Sequence, residues 1–158
     1  MMKASPMISS AELALLLLKN NVKILDSSTR LGRQAGDCPA MNFRRCRVKG
    51  AHYLDLDGLC DQKTNLPFML PSRDHFVFNM KRLDIKVSDK VVCYDTSPRN
   101  VYGFRAAWMF HAMGHKDVSV LDGGLLKWIC EEKPVDEDEI EESDFNYKLV
   151  PERVVSHD

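Results

Sequence analysis

Apolar residues along this chain follow two alternating patterns: short aliphatic runs, and longer segments with the three-to-four-residue spacing of an amphipathic helix. The short runs predict strands at 22–26, 91–94 and 118–121, with a further short strand within 50–57. The helical spacing predicts helices over 11–20, 72–83, 102–113 and 125–129. Because strands and helices alternate, the order predicts an α/β domain whose central, mainly parallel sheet has helices on both faces.

Local signals predict where the helices begin and which faces they bury. Ser9 and Glu12 have the spacing of a capping box at the start of the first helix. Residues 31–48 and 60–71 lack periodicity and predict loops, with a short helix as the alternative for the first. Trp108 and Trp128 are both predicted to be core residues. In the helix after residue 102, we expect these side chains to face the core: Phe104, Ala107, Trp108 and Met113.

The length of 158 residues and the net charge of −1 are typical of one globular domain without a nucleic-acid-binding surface. Charge is uneven: residues 1–50 carry nine Lys and Arg against three Asp and Glu, whereas 131–158 carry eleven acidic residues against three basic ones. We therefore divide the chain into a domain at 1–135 and an acidic, linker-like tail at 136–158. The asymmetry either orients a protein partner or belongs to a solvated tail. No apolar run is long enough for a transmembrane segment.

The five cysteines are scattered and odd in number, which favours free thiols in a reducing compartment. No Cys or His pair has the spacing of a zinc site, so we predict neither a metal nor another cofactor. The basic cluster of Arg44, Arg45 and Arg47 is interpreted as solvated surface charge, with an anion-binding patch as the alternative.

The loop between the strand at 91–94 and the next helix is the place where this sequence concentrates candidate chemistry. Parallel α/β sheets bind ligands at the carboxyl ends of strands, where the following helix directs its N–H groups into the loop. The candidate loop residues are Asp95, Thr96, Ser97, Arg99 and Arg105. Two roles stay open for Arg105: it ties the loop to the helix by pairing with Asp95, or it binds a substrate.

Cys93 and Arg99 have the C-x5-R spacing of a phosphatase loop, in which N–H groups and an arginine hold a phosphate over a thiolate. Three features argue against that hypothesis. Cys93 lies inside an apolar strand, Pro98 removes a loop N–H group, and the carboxylate of Asp95 would repel phosphate. A buried cysteine behaving as a small apolar side chain is the simpler interpretation.

Four segments together resemble rhodanese-homology domains, most closely the amino-terminal halves of tandem thiosulfate and 3-mercaptopyruvate sulfurtransferases. The segments are GAHYLDLD, LPFMLPS, VVCYD and GHKDVSVLDGGLLKW, and the likeness covers residues 7–135. The resemblance implies a five-stranded parallel sheet flanked by helices. It also implies sulfane-sulfur transfer through a cysteine persulfide in the active members.

The resemblance implies that Asp95 occupies the position of the persulfide-forming cysteine. A carboxylate cannot carry sulfane sulfur, so the expected function is that of a catalytically degenerate structural or interaction module with a protein partner or larger complex. Asp57 matches an aspartate that such domains contribute to the cleft between halves, but Phe68 stands where a histidine is expected. The alternative is sulfurtransferase activity, alone or as half of a tandem enzyme. By family likeness the protein is mitochondrial, with the cytoplasm as the alternative.

Overall fold

The computed structural model describes residues 6–29, 37–64, 69–97 and 99–139, which form seven strands and six helices. The strands are β1 (Met7–Ile8), β2 (Val22–Asp26), β3 (Arg47–Val48), β4 (His52–Tyr53), β5 (Lys90–Tyr94), β6 (Val118–Leu121) and β7 (Val135–Asp136). The helices are α1 (Ser10–Lys19), α2 (Pro39–Arg45), α3 (Leu56–Leu59), α4 (Arg73–Arg82), α5 (Val101–Ala112) and α6 (Gly124–Cys130).

Five strands form one parallel sheet in the order β1-β6-β5-β2-β4. After β2 the chain adds β4 on one side, whereas β5 and β6 lie on the other, so the strand order reverses between β2 and β5. The loops that follow these strands diverge at such a point and leave a crevice at the carboxyl edge of the sheet. Asp26 pairs with Tyr94 in the register, so the two loops begin side by side.

Helices cover both faces of the sheet, which confirms the predicted five-stranded α/β architecture. One core lies under α3, α4 and α5 and includes Leu56, Met80 and Phe110. The other lies under α1, α2 and α6 and includes Leu13 and Trp128. Adjacent residues of the central strands point into opposite cores, so both cores meet the apolar β5, as the near-continuous apolar run predicted.

The predicted core face of α5 is wrong for Phe104 and Trp108, whereas Ala107 and Met113 pack against the core as predicted. Phe104 and Trp108 are 42% and 48% exposed, and the buried face is formed by Gly103, Ala106, Met109 and Phe110. Helix α5 is apolar on most of its circumference, so spacing alone does not fix its rotation. The backbone does: a Cβ on Gly103 would lie 2.7 Å from Asn100 Oδ1 and 3.1 Å from Tyr94 Cα, so this residue has to face the sheet. Trp128 is fully buried, as predicted.

The other local predictions agree with the structure apart from small differences in length. The capping box is present: Glu12 donates its N–H to Ser9 Oγ at 3.1 Å, and the Ser9 N–H lies 3.4 Å from Glu12 Oε1. The strand expected within 50–57 pairs over only two residues, because Asp55 caps α3 immediately afterwards by accepting the Gly58 N–H at 3.1 Å. Among the described residues, no helix combines the length and apolarity needed to cross a bilayer.

The described part of the acidic segment returns to the domain surface. β7 pairs antiparallel with β3, and Asp138 forms ion pairs with Arg44 and Arg47. The boundary between residues 135 and 136 stays a prediction, and most of the predicted tail, 140–158, lies outside the described residues.

Candidate functional site

Polar residues are buried where the loops after β2 and β5 meet at the carboxyl edge of the sheet. Asp26 and Asp95 directly end or follow these strands, and both are fully buried. A buried carboxylate requires hydrogen-bond donors to replace its lost hydration. The three residues that follow Asp26 in the chain are also buried: Ser27, Ser28 and Thr29.

The carboxylate of Asp95 is held by the start of α5. Its Oδ2 accepts the Tyr102 N–H at 2.6 Å and the Gly103 N–H at 3.1 Å. Its Oδ1 accepts both the N–H and the hydroxyl of Ser97 at 2.5 Å. Because the first N–H groups of a helix have no partner within the helix and carry its positive dipole end, this is a favourable position for an anion. The side chain of Asp95 itself is the anion seated there.

Asn100 fixes the loop that carries Asp95. It adopts a left-handed backbone with φ of 55° and is buried. Its Oδ1 accepts the Asp95 N–H at 2.7 Å, and its Nδ2 donates to the Leu121 carbonyl at 2.8 Å, so one amide joins the loop to β6. On the other side a Cβ on Gly124 would lie 2.8 Å from the Asp95 carbonyl oxygen, so α6 packs directly against the loop.

A second layer of hydrogen bonds joins the β2 loop to the Asp95 loop. Ser28 donates its hydroxyl to Asp26 Oδ1 at 2.6 Å, and Thr96 donates its N–H to Ser28 Oγ at 3.1 Å. The hydroxyl of Ser27 lies 3.0 Å from the Tyr102 carbonyl, which connects the same loop to α5. Sequence reasoning singled out Thr96 and Ser97 but missed this β2 contribution. The available signal was an acid at a strand end followed by Ser-Ser-Thr.

Burial and the Asp26 carboxylate also set the state of nearby phenols. Burial raises the pKa of Tyr94 well above its ordinary value, and the charge of Asp26 raises it further. Burial likewise raises the pKa of Tyr53, with Asp55 and Asp26 adding to the effect. Both phenols therefore stay protonated to a higher pH than an ordinary tyrosine, and Tyr53 donates to the Ser28 carbonyl at 3.3 Å.

Cys93 lies away from the loop surface. It pairs with Leu25 and Val120 in the sheet register, its side chain is fully buried in the core under α5, and burial raises its pKa to about 12. At neutral pH it is a protonated thiol without solvent contact, and such a thiol is neither a nucleophile nor an anion ligand. Arg99 is exposed, so the structure does not bring these two C-x5-R residues to one surface.

The remaining candidates lie on α5 and α3. The guanidinium of the half-buried Arg105 lies 4.6 Å from the centroid of the Trp108 ring, a cation–π geometry. Asp57 is exposed in the first turn of α3. Phe68 and Pro98 lie outside the described residues. The described residues contain no group of three or more His, Cys, Asp or Glu side chains placed to hold a metal ion.

Comparison with known proteins identifies the family. The model of the rhodanese-like domain matches residues 9–131. The chain is 40% identical over 111 residues to thiosulfate/3-mercaptopyruvate sulfurtransferase 2 of Arabidopsis thaliana, covering 68% of this chain and 31% of that protein. It is 32% identical over 143 residues to 3-mercaptopyruvate sulfurtransferase of Mus musculus, covering 87% and 47% respectively. The chain thus spans about half the length, or less, of these curated relatives.

Solved structures give the same assignment. A 3-mercaptopyruvate sulfotransferase from Escherichia coli with the rhodanese fold superposes with a TM-score of 0.78 at 25% identity, covering 87% of this chain and 52% of that one. The sub-stoichiometric sulfur transferase subunit of yeast mitochondrial complex I superposes with a TM-score of 0.64 at 32% identity, covering 74% and 38%. With the five-stranded sheet and the family match over most of its length, this chain belongs to the rhodanese-like domain family and is homologous to thiosulfate and 3-mercaptopyruvate sulfurtransferases.

Proposed function

We propose that this domain is catalytically degenerate in sulfur transfer and acts as a structural or interaction module, as a subunit or part of a larger assembly. One observation carries the proposal: the buried Asp95 carboxylate accepts the N–H groups of Tyr102 and Gly103, where the family chemistry requires a cysteine thiolate.

The chemistry of that position supports the proposal. Sulfur transfer needs a thiolate that attacks a sulfur donor, holds the sulfur as a persulfide and releases it to an acceptor. The N–H groups at a helix start lower the pKa of a thiol and stabilise its anion. A carboxylate receives the same hydrogen bonds but forms no S–S bond, so Asp95 keeps the electrostatics of the site and removes its carrier. Cys93 does not replace it, because that thiol is buried and protonated.

Two relatives support the proposed assembly and compartment. The yeast structure is named as a subunit of mitochondrial complex I, and one Arabidopsis relative is named as a mitochondrial sulfurtransferase at 36% identity over 126 residues. By this likeness we propose a protein partner or complex and a mitochondrial location, with the cytoplasm as the alternative.

A second candidate function is sulfur transfer, favoured by the names of the homologues. In this alternative the domain is one half of a tandem enzyme whose other half supplies the cysteine. Asp57, exposed at the start of α3, is the residue that the domain would contribute to the shared cleft.

Cyanolysis assays with thiosulfate and with 3-mercaptopyruvate test the proposal, together with intact-mass analysis after incubation with each donor. We expect no turnover and no adduct of one sulfur atom, and Cys93→Ser should behave as the wild type. Turnover that disappears in Cys93→Ser, or a persulfide mapped to any of the five cysteines with accompanying turnover, would overturn the degenerate assignment.

A further inference from the structure

Residues 134–139, which we call the strap, lie across the outer surface of α2 and β3. Val135 and Asp136 pair with Val48 and Arg47 as an antiparallel ladder. The Pro134 carbonyl accepts the Lys49 N–H at 3.2 Å and the Trp128 indole N–H at 2.7 Å.

Charged side chains hold the far end of the strap. Asp138 Oδ1 lies 2.8 Å from an Arg47 nitrogen, and its Oδ2 lies 3.6 Å from Arg44 Nε. Asp136 Oδ2 accepts the Gly50 N–H at 2.9 Å. Arg47, and to a smaller extent Arg44, lower the pKa of Asp138, so its carboxylate stays ionised to a lower pH than an ordinary aspartate.

The receiving surface is built independently of the strap. The Arg47 guanidinium lies 4.9 Å from the centroid of the Phe43 ring, and it also donates to the Phe43 carbonyl at 3.3 Å. These two contacts with Phe43 do not involve the strap, so they restrict the Arg47 side chain whether or not a carboxylate is bound. Arg44 adds a second cation and, through its carbonyl, an acceptor for the Asp138 N–H at 2.8 Å.

The strap has few apolar contacts to keep it in place. Val135 packs partly against the core under α6, whereas residues 137–139 are exposed. Hydrogen bonds and ion pairs at an exposed surface are individually weak and are screened by salt. A segment held in this way opens at low free energy while the rest of the domain stays folded.

We infer that Arg44, Arg47 and the edge of β3 form a docking site for an acidic, extended segment of a partner protein, and that the strap occupies this site in the unbound chain. The occupant must pair antiparallel with β3 and place a carboxylate between the two arginines, as the strap does. Strand addition with side-chain selection is a common mode of peptide recognition. The inference rests on the proposed function as an interaction module and specifies the chemistry of its partner.

The binding experiment uses the full chain and a fluorescein-labelled peptide with the strap sequence PVDEDE, followed by anisotropy. Asp136→Asn with Asp138→Asn, which we call the released variant, removes both side-chain charges of the strap and with them the ion pairs of Asp138 with Arg44 and Arg47. Apparent affinity scales with the fraction of molecules whose site is open, so we expect this variant to bind the peptide roughly ten-fold tighter than the wild type. Glu131→Gln with Glu132→Gln, outside the strap, makes the same change in charge and should bind like the wild type. Adding Arg47→Gln or Arg44→Gln to the released variant should weaken binding.

Two measurements report whether the strap has detached from its site. In a Trp108→Phe background Trp128 is the only tryptophan, and its emission should shift to the red when the indole loses Pro134. Amide exchange at Lys49 and Gly50, whose N–H groups both donate to the strap, should accelerate in the released variant.

Equal peptide affinity in wild type and released variant, or unchanged exchange at Lys49, would overturn the inference. So would binding of a single-stranded RNA of equal charge as tightly as the peptide, because the site would then respond to charge alone. None of these results bears on sulfur transfer, and the cyanolysis assay bears on none of them, so the two proposals fail separately.

Discussion

Replacing Asp95 with alanine tests whether its carboxylate holds the loop and the start of α5 together. The change removes four accepted hydrogen bonds, from the N–H groups of Ser97, Tyr102 and Gly103 and the Ser97 hydroxyl. It also leaves the Tyr102 and Gly103 N–H groups at the helix start without this acceptor.

The expected loss is large for one side chain. Removing a side-chain cap from a helix costs about 1–2 kcal/mol. Loss of a buried anion at the positive end of the helix costs about 1 kcal/mol more. The bonds to Ser97 contribute roughly another 1 kcal/mol, because hydrogen bonds to charged groups exceed the neutral average. We therefore expect the free energy of unfolding to fall by about 3 kcal/mol in Asp95→Ala.

Urea unfolding followed by tryptophan emission measures this difference, because Trp128 is buried and its environment changes on unfolding. Asp55→Ala is the matched control: it removes another aspartate cap, but one on an exposed residue that accepts the Gly58 N–H at 3.1 Å. That variant should lose about 1 kcal/mol or less. Asp95→Asn keeps the shape of the side chain but turns an NH2 group toward the N–H donors on one side. Its loss in the free energy of unfolding should lie between those of Asp95→Ala and Asp55→Ala. Equal losses in Asp95→Ala and Asp55→Ala would show that the Asp95 carboxylate does not hold its loop to the start of α5.

Three further predictions concern the core and the close contacts. Trp128→Ala should cost about 3–5 kcal/mol, whereas the half-exposed Trp108→Ala should cost about 1 kcal/mol or less, and urea unfolding compares them; similar losses would contradict the observed rotation of α5. Burial raises the pKa of Cys93 from 9.0 to about 12, so the folded state holds this thiol proton more tightly than the unfolded state does. The free energy of unfolding is therefore unaffected by this group below pH 9 and falls as pH rises from 9 toward 12. In native protein at pH 8 iodoacetamide should therefore label exposed Cys130 and spare Cys93, as peptide mass spectrometry will show; early labelling of Cys93 would refute its burial. Gly124→Ala adds a Cβ 2.8 Å from the Asp95 carbonyl at a φ of 59°, so it should cost more than Gly114→Ala, which has a φ of 97° and no atom within 4 Å; equal melting temperatures would contradict the close approach of α6.

The sequence predicted the sheet well because its central strands are short, apolar on both faces and separated by helices with recognisable ends. Ser9 and Glu12 marked α1 through a contact between residues three apart, which a sequence pattern contains directly. The two-residue strand β1 escaped notice, because Met7 and Ile8 form a strand only by pairing with β6. The rotation of α5 was predicted wrongly because a nearly all-apolar helix has no distinctive stripe.

The sequence indicated which loop to consider as a candidate site, but it did not predict the hydrogen bonds within that loop. Asp95 and its neighbours could be singled out because they follow a strand and precede a helix. The contacts that define the site join residues far apart in the chain, such as Ser28 with Thr96 and Asn100 with Leu121. Such pairings depend on which strands become neighbours, and local composition does not encode that order.

The Asp95 carboxylate fills the anion position at the start of α5, and this affects how the stability of the domain depends on anions in solution. A helix start that waits for an exogenous anion gains stability when the anion binds, so its melting temperature follows the anion concentration. Here the occupant is covalently part of the chain and is present at fixed stoichiometry in every molecule. Thermal stability should consequently be independent of millimolar thiosulfate or phosphate, because neither anion can add to a position that the chain itself fills.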